Sequence, residues 1–190
     1  MKALGKRLLS ACMMVMLVAI MVVPAFAAGE AIAPLTGTIH HYQSCAATGG
    51  TGYLNLYPSS TGGVVRKGTA LKSWTRTSSR DQYFKVDIYS KGIAYLAVQT
   101  PPTGSGDDAE FSLALNRADP SGKAIVWDKT AGAKDSALTI SYYNSGDTVI
   151  FYLRNHAGEK LVCPYSGNVA NGTQFVFMNS TGDQIGWRVC

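Results

Sequence analysis

Three stretches of this 190-residue chain decide its fold: GTALKSWTRTSSRDQYFKV (68–86), GKAIVWDKTAGAKDSALTI (122–140) and GTQFVFMNSTGDQIGWRV (172–189). Each begins with a glycine, has an aromatic residue five or six positions later and an aspartate six to eight positions after that. A hydrophobic strand end closes each stretch. The residues that define the pattern are Gly68, Trp74, Asp81 and Val86; Gly122, Trp127, Asp135 and Ile140; and Gly172, Phe177, Asp183 and Val189. A pattern that recurs along a chain indicates an internal repeat.

The segments around these stretches extend the repeat. An apolar run precedes each one (YLNLY, FSLALN and KLVC), and a further run opens near Gly37, Gly92 or Gly146, at spacings of 55 and 54 residues. The runs are short, rich in Val, Ile, Tyr, Phe and Thr, and bounded by turn residues, which is typical of strands. The sequence predicts an all-β domain of three four-strand copies, at about 37–90, 91–143 and 144–190. One such copy cannot bury its own apolar face, but three copies around a pseudo-threefold axis can.

The ends of the three copies resemble the ricin-type β-trefoil family, whose repeats finish in a Q-x-W motif. The matching segments are Asp81-Gln82-Tyr83-Phe84, Asp135-Ser136-Ala137-Leu138 and Asp183-Gln184-Ile185-Gly186-Trp187. Copy one has Phe in place of Trp, copy two lacks the Gln, and copy three separates Gln from Trp by one residue too many. The resemblance implies a β-trefoil. A jelly-roll-like β-sandwich, suggested by DQYFKVDIYSKGIAYLAVQ (81–99), is the alternative, but it leaves the third copy unexplained.

The same resemblance implies a carbohydrate-binding, ricin B-type lectin-like module, because in that family each repeat holds a sugar between an aromatic ring and polar side chains. The first copy offers Asn55, Trp74, Asp81 and Gln82, and the second offers Asn116, Trp127 and Asp135. The third has Phe177, Asp183 and Gln184, with only the apolar Val162 or Cys163 at the first position. Asparagine replaces the family's first carboxylate in two copies, which removes a charged acceptor for a sugar hydroxyl.

A purely structural interpretation of these residues stands beside the functional one. An aspartate between a turn and a strand commonly bonds its own backbone, and Gln82 and Gln184 can satisfy buried backbone groups. Trp74 and Trp127 fit either a surface platform or packing. The strand-end residues at one equivalent position are expected in the core: Phe84, Leu138 and Trp187.

The first residues of the chain have the organisation of a signal peptide. Lys2, Lys6 and Arg7 precede an apolar run from Leu8 to Val23, followed by a Pro and the small-x-small sequence Ala25-Phe26-Ala27. We expect residues 1–27 to be removed and the domain 28–190 to be secreted without a membrane span. The alternatives are a retained anchor, for which the apolar run is short, and a lipoprotein, whose LSAC box (9–12) precedes nearly all of the apolar run instead of following it.

The charge of the mature chain excludes nucleic acid as an expected partner. Loss of the leader reduces 17 basic residues to 14 against 12 acidic ones, so the net charge falls from +5 to +2 and no basic run remains. The expected partner is a glycan. The alternative is a protein surface, contacted as in a protease inhibitor or adhesin through the long loops Pro58–Lys67 and Thr100–Glu110.

The remaining reactive residues give no catalytic motif. Cys45, Cys163 and Cys190 allow one disulfide, whose partners the sequence leaves open. The three histidines of the mature chain lie outside any metal-binding spacing, and there is no G-x-S-x-G nucleophile motif. We expect no enzyme activity, no metal and no cofactor.

Overall fold

The computed structural model describes residues 35–56, 65–90, 93–102, 109–130, 133–143, 147–167 and 169–190. The predicted leader, 1–27, and most of the two long loops lie outside these ranges. The strands are Ile39–His40 (β1), Tyr42–Ser44 (β2), Tyr53–Leu56 (β3), Leu71–Trp74 (β4), Phe84–Ser90 (β5), Ile93–Val98 (β6), Leu113–Arg117 (β7), Ala124–Asp128 (β8), Leu138–Tyr143 (β9), Thr148–Leu153 (β10), Lys160–Val162 (β11), Val176–Met178 (β12) and Trp187–Val189 (β13).

Six strand positions form a closed ring. Antiparallel pairing runs from β5 through β6, β9, β10 and β13 to β2. The short strands β1 and β2 flank His41 and together make one strand position, whose two sides pair with β5 and β13. The backbone of His41 also exchanges two hydrogen bonds with that of Cys190, at 3.0 and 3.1 Å. The start of the first copy and the end of the third thus close the barrel.

Three hairpins form a second layer on the barrel. They are β3–β4, β7–β8 and β11–β12, and the first strand of each pairs with the preceding barrel strand. Each hairpin also meets the other two through the bridges Ala70–Ile125, Lys72–Gln174 and Lys123–Val176. Barrel and hairpins together make a β-trefoil, as predicted, and the sandwich alternative is wrong.

The amide of Gln174 lies where the three hairpins meet. Its Nε2 atom is 2.9 Å from the carbonyl oxygen of Leu71, 3.0 Å from that of Ala124 and 2.9 Å from that of Phe175. These carbonyls belong to the first, second and third copies. One side chain therefore serves backbone acceptors from all three copies near the pseudo-threefold axis.

The repeat is also visible in the backbone ahead of each final strand. In each copy, the carbonyl of the residue just before the buried residue of the final strand accepts a backbone hydrogen bond from the next copy. The three bonds run from Gln99 N to Tyr83 O, from Arg154 N to Ala137 O and from Cys45 N to Gly186 O, all at 2.8–2.9 Å. The core residues themselves are fully buried, as predicted: Phe84, Leu138 and Trp187. Trp187 packs edge-on against Phe175 and donates its indole N–H to the carbonyl of Leu161 at 3.0 Å, so its polar atom is also satisfied.

A single extra residue distinguishes the third copy. The 3-10 helix before the final strand is Arg80–Gln82 in the first copy and Gly182–Ile185 in the third. The four-residue helix absorbs one additional position, which explains why Gln184 and Trp187 are one residue further apart than a Q-x-W motif allows.

The expected disulfide is not formed among the described residues. Cys45, Cys163 and Cys190 are all free thiols. Cys45 is half-buried with its Sγ 3.6 Å from Oγ1 of Thr148, Cys163 is fully buried, and Cys190 is exposed at the chain end. Burial raises the pKa of the Cys163 thiol.

The described part of the chain contains no helix long and apolar enough to cross a membrane. In the same residues, no group of three or more His, Cys, Asp or Glu side chains could hold a metal ion.

Candidate functional site in the second repeat

The hairpin β7–β8 bears an open cleft of about 440 Å³. Asn116 and Ile125 are paired across the hairpin, and Trp127 lies two residues further along β8. Because side chains two residues apart on a strand share a face, Ile125 and Trp127 both point away from the core. Asp135 enters from the segment before β9. The second-repeat cleft is lined by Asn116, Arg117, Ala118, Asp119, Ile125, Trp127, Asp128, Thr130, Ala133 and Asp135.

Trp127 is the aromatic surface of this cleft, and its side chain is 44% exposed. A turn of the first repeat supports it, since a Cβ built on Gly68 would lie 3.9 Å from Cζ3 of the indole. Lys67 of the same turn forms an ion pair with Asp128 at the edge of the cleft. The Trp127 ring is therefore supported by the first repeat and still accessible to solvent. Stacking on a flat apolar ligand face requires this geometry.

Three carboxylates line the second-repeat cleft, and each contacts a basic group. Asp128 pairs with Lys67. Asp119 accepts a hydrogen bond from Nη1 of Arg117 at 3.2 Å. Asp135 lies with Oδ1 2.8 Å from Nε2 of His156. These contacts orient the carboxylates, while their exposed surface remains available as hydrogen-bond acceptors.

Arg117 connects the floor of the cleft to the third repeat. Its guanidinium Nε donates to Oε2 of Glu159 at 2.6 Å, and its side chain is only 12% exposed. Hydrogen bonding to Glu159 is the largest cause of the raised pKa of Arg117, with a further contribution from Asp119. Its backbone N–H donates to the carbonyl of Asp135 at 2.8 Å. Arg117 thus fixes the position of Asp135 relative to the hairpin.

Two of the four residues nominated in the first copy are buried. Asn55 is 3% exposed and donates to the neighbouring carbonyl of Leu56. Gln82 is fully buried, and its amide accepts from Thr77 N and donates to Thr75 O at 2.8 and 2.7 Å. The structural interpretation therefore applies to Gln82.

The other two first-copy residues are more accessible. Trp74 is half-buried on β4. The carboxylate of Asp81 accepts from Ser79 Oγ and from Thr100 Oγ1, both at 2.7 Å. The Thr100 contact crosses from the first copy to the second, much as His156 of the third copy reaches Asp135.

The aromatic residue that the repeat pattern nominates in the third copy is not exposed. Phe177, the candidate from the sequence pattern, is 3% exposed and faces the core. Met178 takes the outward position and is exposed, and the first position is the buried, apolar Val162. Asp183 is exposed, whereas Gln184 accepts a hydrogen bond from Ser180 Oγ at 3.0 Å.

Several residues of the second-repeat cleft were missed by the sequence analysis. Arg117, Asp119, Asp128 and Thr130 flank nominated positions but belong to no family motif. His156 was considered only as a catalytic or metal-binding residue. Its contact with Asp135 spans 21 residues, so only a structural alignment of the copies reveals it.

Comparisons with known proteins agree with this architecture. No protein-family model matches the chain, and no curated protein is similar enough in sequence to match it. Among solved structures, the designed threefold-symmetric protein ThreeFoil is 15% identical with a TM-score of 0.59, over 80% of this chain and 96% of its own. A ricin B-like lectin from Macrolepiota procera, in complex with lactose, is 12% identical with a TM-score of 0.55, over 81% of this chain and 95% of its own.

A mosquitocidal holotoxin also matches, at 13% identity and a TM-score of 0.62. The match covers 80% of this chain but only 17% of the holotoxin. Identities this low show a common fold and no more. The chain has the β-trefoil fold that ricin B-like lectins share.

Proposed function

We propose that this protein is a carbohydrate-binding module and that its working site is the second-repeat cleft. One observation supports the proposal above the others. In the second copy, the nominated residues Asn116, Trp127 and Asp135 line one open cleft, whereas Asn55 and Gln82 of the first-copy set are buried. The first-copy set has two buried members, so the proposal assigns one main site to the domain instead of one per repeat.

The chemistry of the cleft suits a sugar ring. The apolar face of a pyranose stacks on the exposed indole of Trp127, and its hydroxyls meet acceptors around the rim. Asn116 contributes an amide where the family has a carboxylate. Asp119 and Asp128 line the same cleft. They supply charged acceptors in place of the carboxylate that is lost because residue 116 is an asparagine. Asp135 is oriented by His156 and completes the polar rim.

The proposal includes binding without catalysis, in a secreted domain. Its support is the leader-like sequence of residues 1–27 and the lack of a nucleophile motif in the chain. N-terminal sequencing of the exported protein tests the location, with Ala28 as the expected first residue. Recovery of the intact N-terminus from a membrane fraction would contradict it.

Tryptophan fluorescence tests the sugar site directly, because the chain has only three tryptophans. Trp187 is fully buried, so Trp127 is the most exposed reporter. A glycan array first identifies binding sugars, and lactose is then titrated together with the best array ligands. We expect a saturable change that Trp127→Ala abolishes.

Trp74→Phe is the matched control, since it changes the corresponding tryptophan of the first copy without touching the cleft. It should preserve binding. A folded protein that is silent on the array, or one whose binding survives Trp127→Ala unchanged, would refute the proposed site. Binding lost only in Trp74→Phe would move the site to the first copy.

A further inference from the structure

A second cleft, of about 300 Å³, lies beside the first on the outer face of the β5–β6 hairpin. It is lined by Asp87, Ile88, Tyr89, Tyr95 and Lys129. None of these residues belongs to the motif that the sequence shares with ricin-type repeats. This hairpin cleft is therefore separate from the three positions that the repeat pattern predicts.

The backbone of β5 presents Tyr89 to this cleft through a β-bulge. Ile88 pairs with Ala94 and Ser90 pairs with Ile93, so Tyr89 has no partner on β6. A bulge re-aims the side chain at the extra position. The Tyr89 side chain is 58% exposed, and its ring stands edge-on to the buried ring of Tyr95 with centroids 6.3 Å apart. The result is a supported aromatic ring open to solvent, which resembles the arrangement of Trp127.

Charged groups of both signs border the Tyr89 ring. Asp87 accepts from Lys129 Nζ at 2.7 Å through Oδ2 and pairs with Lys85 at 3.3 Å through Oδ1. Lys129 keeps 35% of its side chain exposed. An acceptor and a donor at the edge of an aromatic ring can together bind neighbouring hydroxyls of a sugar.

The two clefts share one wall. Lys129 lines the hairpin cleft, whereas its neighbours Asp128 and Thr130 line the second-repeat cleft. The hydroxyl of Tyr95 donates to the carbonyl of Thr130, which fixes that wall to the β5–β6 hairpin. Consecutive Cα atoms are about 3.8 Å apart, so a single strand of backbone separates the two openings.

We propose that the two clefts form one extended site for an oligosaccharide, with Trp127 holding one sugar unit and Tyr89 a unit further along the same chain. This inference rests on the proposed function and specifies its ligand class as a chain of sugars. A ligand that reaches both rings gains the second contact without a second loss of translational freedom.

The test compares a short sugar with a longer one that contains it. Lactose and the tetrasaccharide lacto-N-neotetraose are titrated by calorimetry into the wild-type protein, Tyr89→Ala, Tyr89→Phe and Trp127→Ala. Tyr165→Ala is the control, since Tyr165 is exposed and lines neither cleft. Thermal unfolding confirms that each variant folds.

The wild type should bind the tetrasaccharide more tightly than lactose. Tyr89→Ala should weaken tetrasaccharide binding about three- to tenfold, as expected for one aromatic contact, and change lactose binding less than about twofold. Tyr89→Phe should keep the advantage of the longer sugar, and Trp127→Ala should lose both ligands.

Two other results overturn different claims. Equal affinity for the two sugars, or an equal effect of Tyr89→Ala on both, would refute the extended site while leaving the second-repeat site intact. Failure of the wild-type protein to bind either sugar would refute the second-repeat cleft as a site for lactose, and the extended site for this tetrasaccharide with it.

Discussion

The Nε2 atom of His156 lies 2.8 Å from Oδ1 of Asp135, so a turn of the third repeat touches the wall of the second-repeat cleft. The same turn contributes Glu159, whose carboxylate lies 2.6 Å from Nε of Arg117. Two contacts from one turn therefore hold both the rim and the floor of the cleft. The site belongs to the interface between two copies and not to a single repeat.

His156→Ala should weaken sugar binding at the proposed site about threefold to tenfold, because Asp135 loses the hydrogen bond that orients its carboxylate. The dissociation constant is measured by tryptophan fluorescence, since Trp127 lies in the same cleft. The midpoint of thermal unfolding should change little. Unaltered affinity in a folded His156→Ala protein would show that Asp135 needs no such support.

Thr100→Ala is the matched control for His156→Ala. Oγ1 of Thr100 lies 2.7 Å from Oδ1 of Asp81 and makes the corresponding contact between copies in the first repeat. Since the proposed site is in the second repeat, Thr100→Ala should leave the dissociation constant of the sugar unchanged.

Glu159→Ala should lower the free energy of unfolding by about 1–3 kcal/mol, because it leaves Arg117, whose side chain is only 12% exposed, without its main hydrogen-bond partner. Urea unfolding followed by circular dichroism measures the change. Glu110→Ala is the control: its ion pair with Arg80 joins side chains that are 39% and 63% exposed, so the loss there should stay below about 1 kcal/mol. If the two variants lose similar amounts of unfolding free energy, burial does not strengthen the ion pair between Arg117 and Glu159.

The repeat pattern predicted the fold because the same burial requirement recurs in every copy. Phe84, Leu138 and Trp187 occupy one equivalent core position, and spacing alone identifies them. Spacing did not identify the outward aromatics. Trp127 and Phe177 both lie five residues after the repeat glycine, yet Trp127 is exposed and Phe177 is buried. A shift of one residue moves a side chain to the other face of a strand, and the repeat pattern does not fix hairpin register to that accuracy.

The contacts that shape the candidate site could not be predicted from the sequence, for a different reason. His156 and Asp135, like Lys67 and Asp128, meet only after the copies pack around the axis. No local propensity or motif encodes such pairs. The three free thiols illustrate the same limit, since the number of cysteines allows a bridge but their positions in the folded chain decide whether one forms.

Acid should destabilise the fold through His40 and His41. Burial lowers the pKa of both histidines, and the positive charge of Arg76 lowers that of His41 further. The unfolded chain, with ordinary histidine pKa values of about 6.5, then binds more protons than the native state, so the free energy of unfolding falls as the pH decreases below about 6.5. Above that value the contribution of both groups to stability is fully present.

His41→Phe tests this pH dependence. The His41 ring packs on Tyr83 with centroids 4.5 Å apart, and its Nδ1 is buried without a hydrogen-bond partner in the described part of the chain, so phenylalanine preserves the packing. Urea unfolding at about pH 7.5 and about pH 5 should show a smaller acid loss in the variant than in the wild type. An identical loss in both would assign the acid sensitivity to other groups.

Gln174→Met should cost about 1–3 kcal/mol of unfolding free energy, since methionine fills a similar volume but donates no hydrogen bond to the carbonyls of Leu71, Ala124 and Phe175. For a domain of this size the thermal midpoint should fall by roughly 2–12 °C. Gln184→Met is the control, because the hydrogen bond that the Gln184 amide accepts among the described residues comes from Ser180 in its own copy, and its loss should cost less than about 1 kcal/mol. The comparison separates a hydrogen bond that joins three copies from one that serves a single loop. Equal losses would mean that the amide near the axis stabilises the assembly of the three copies no more than an ordinary surface contact does.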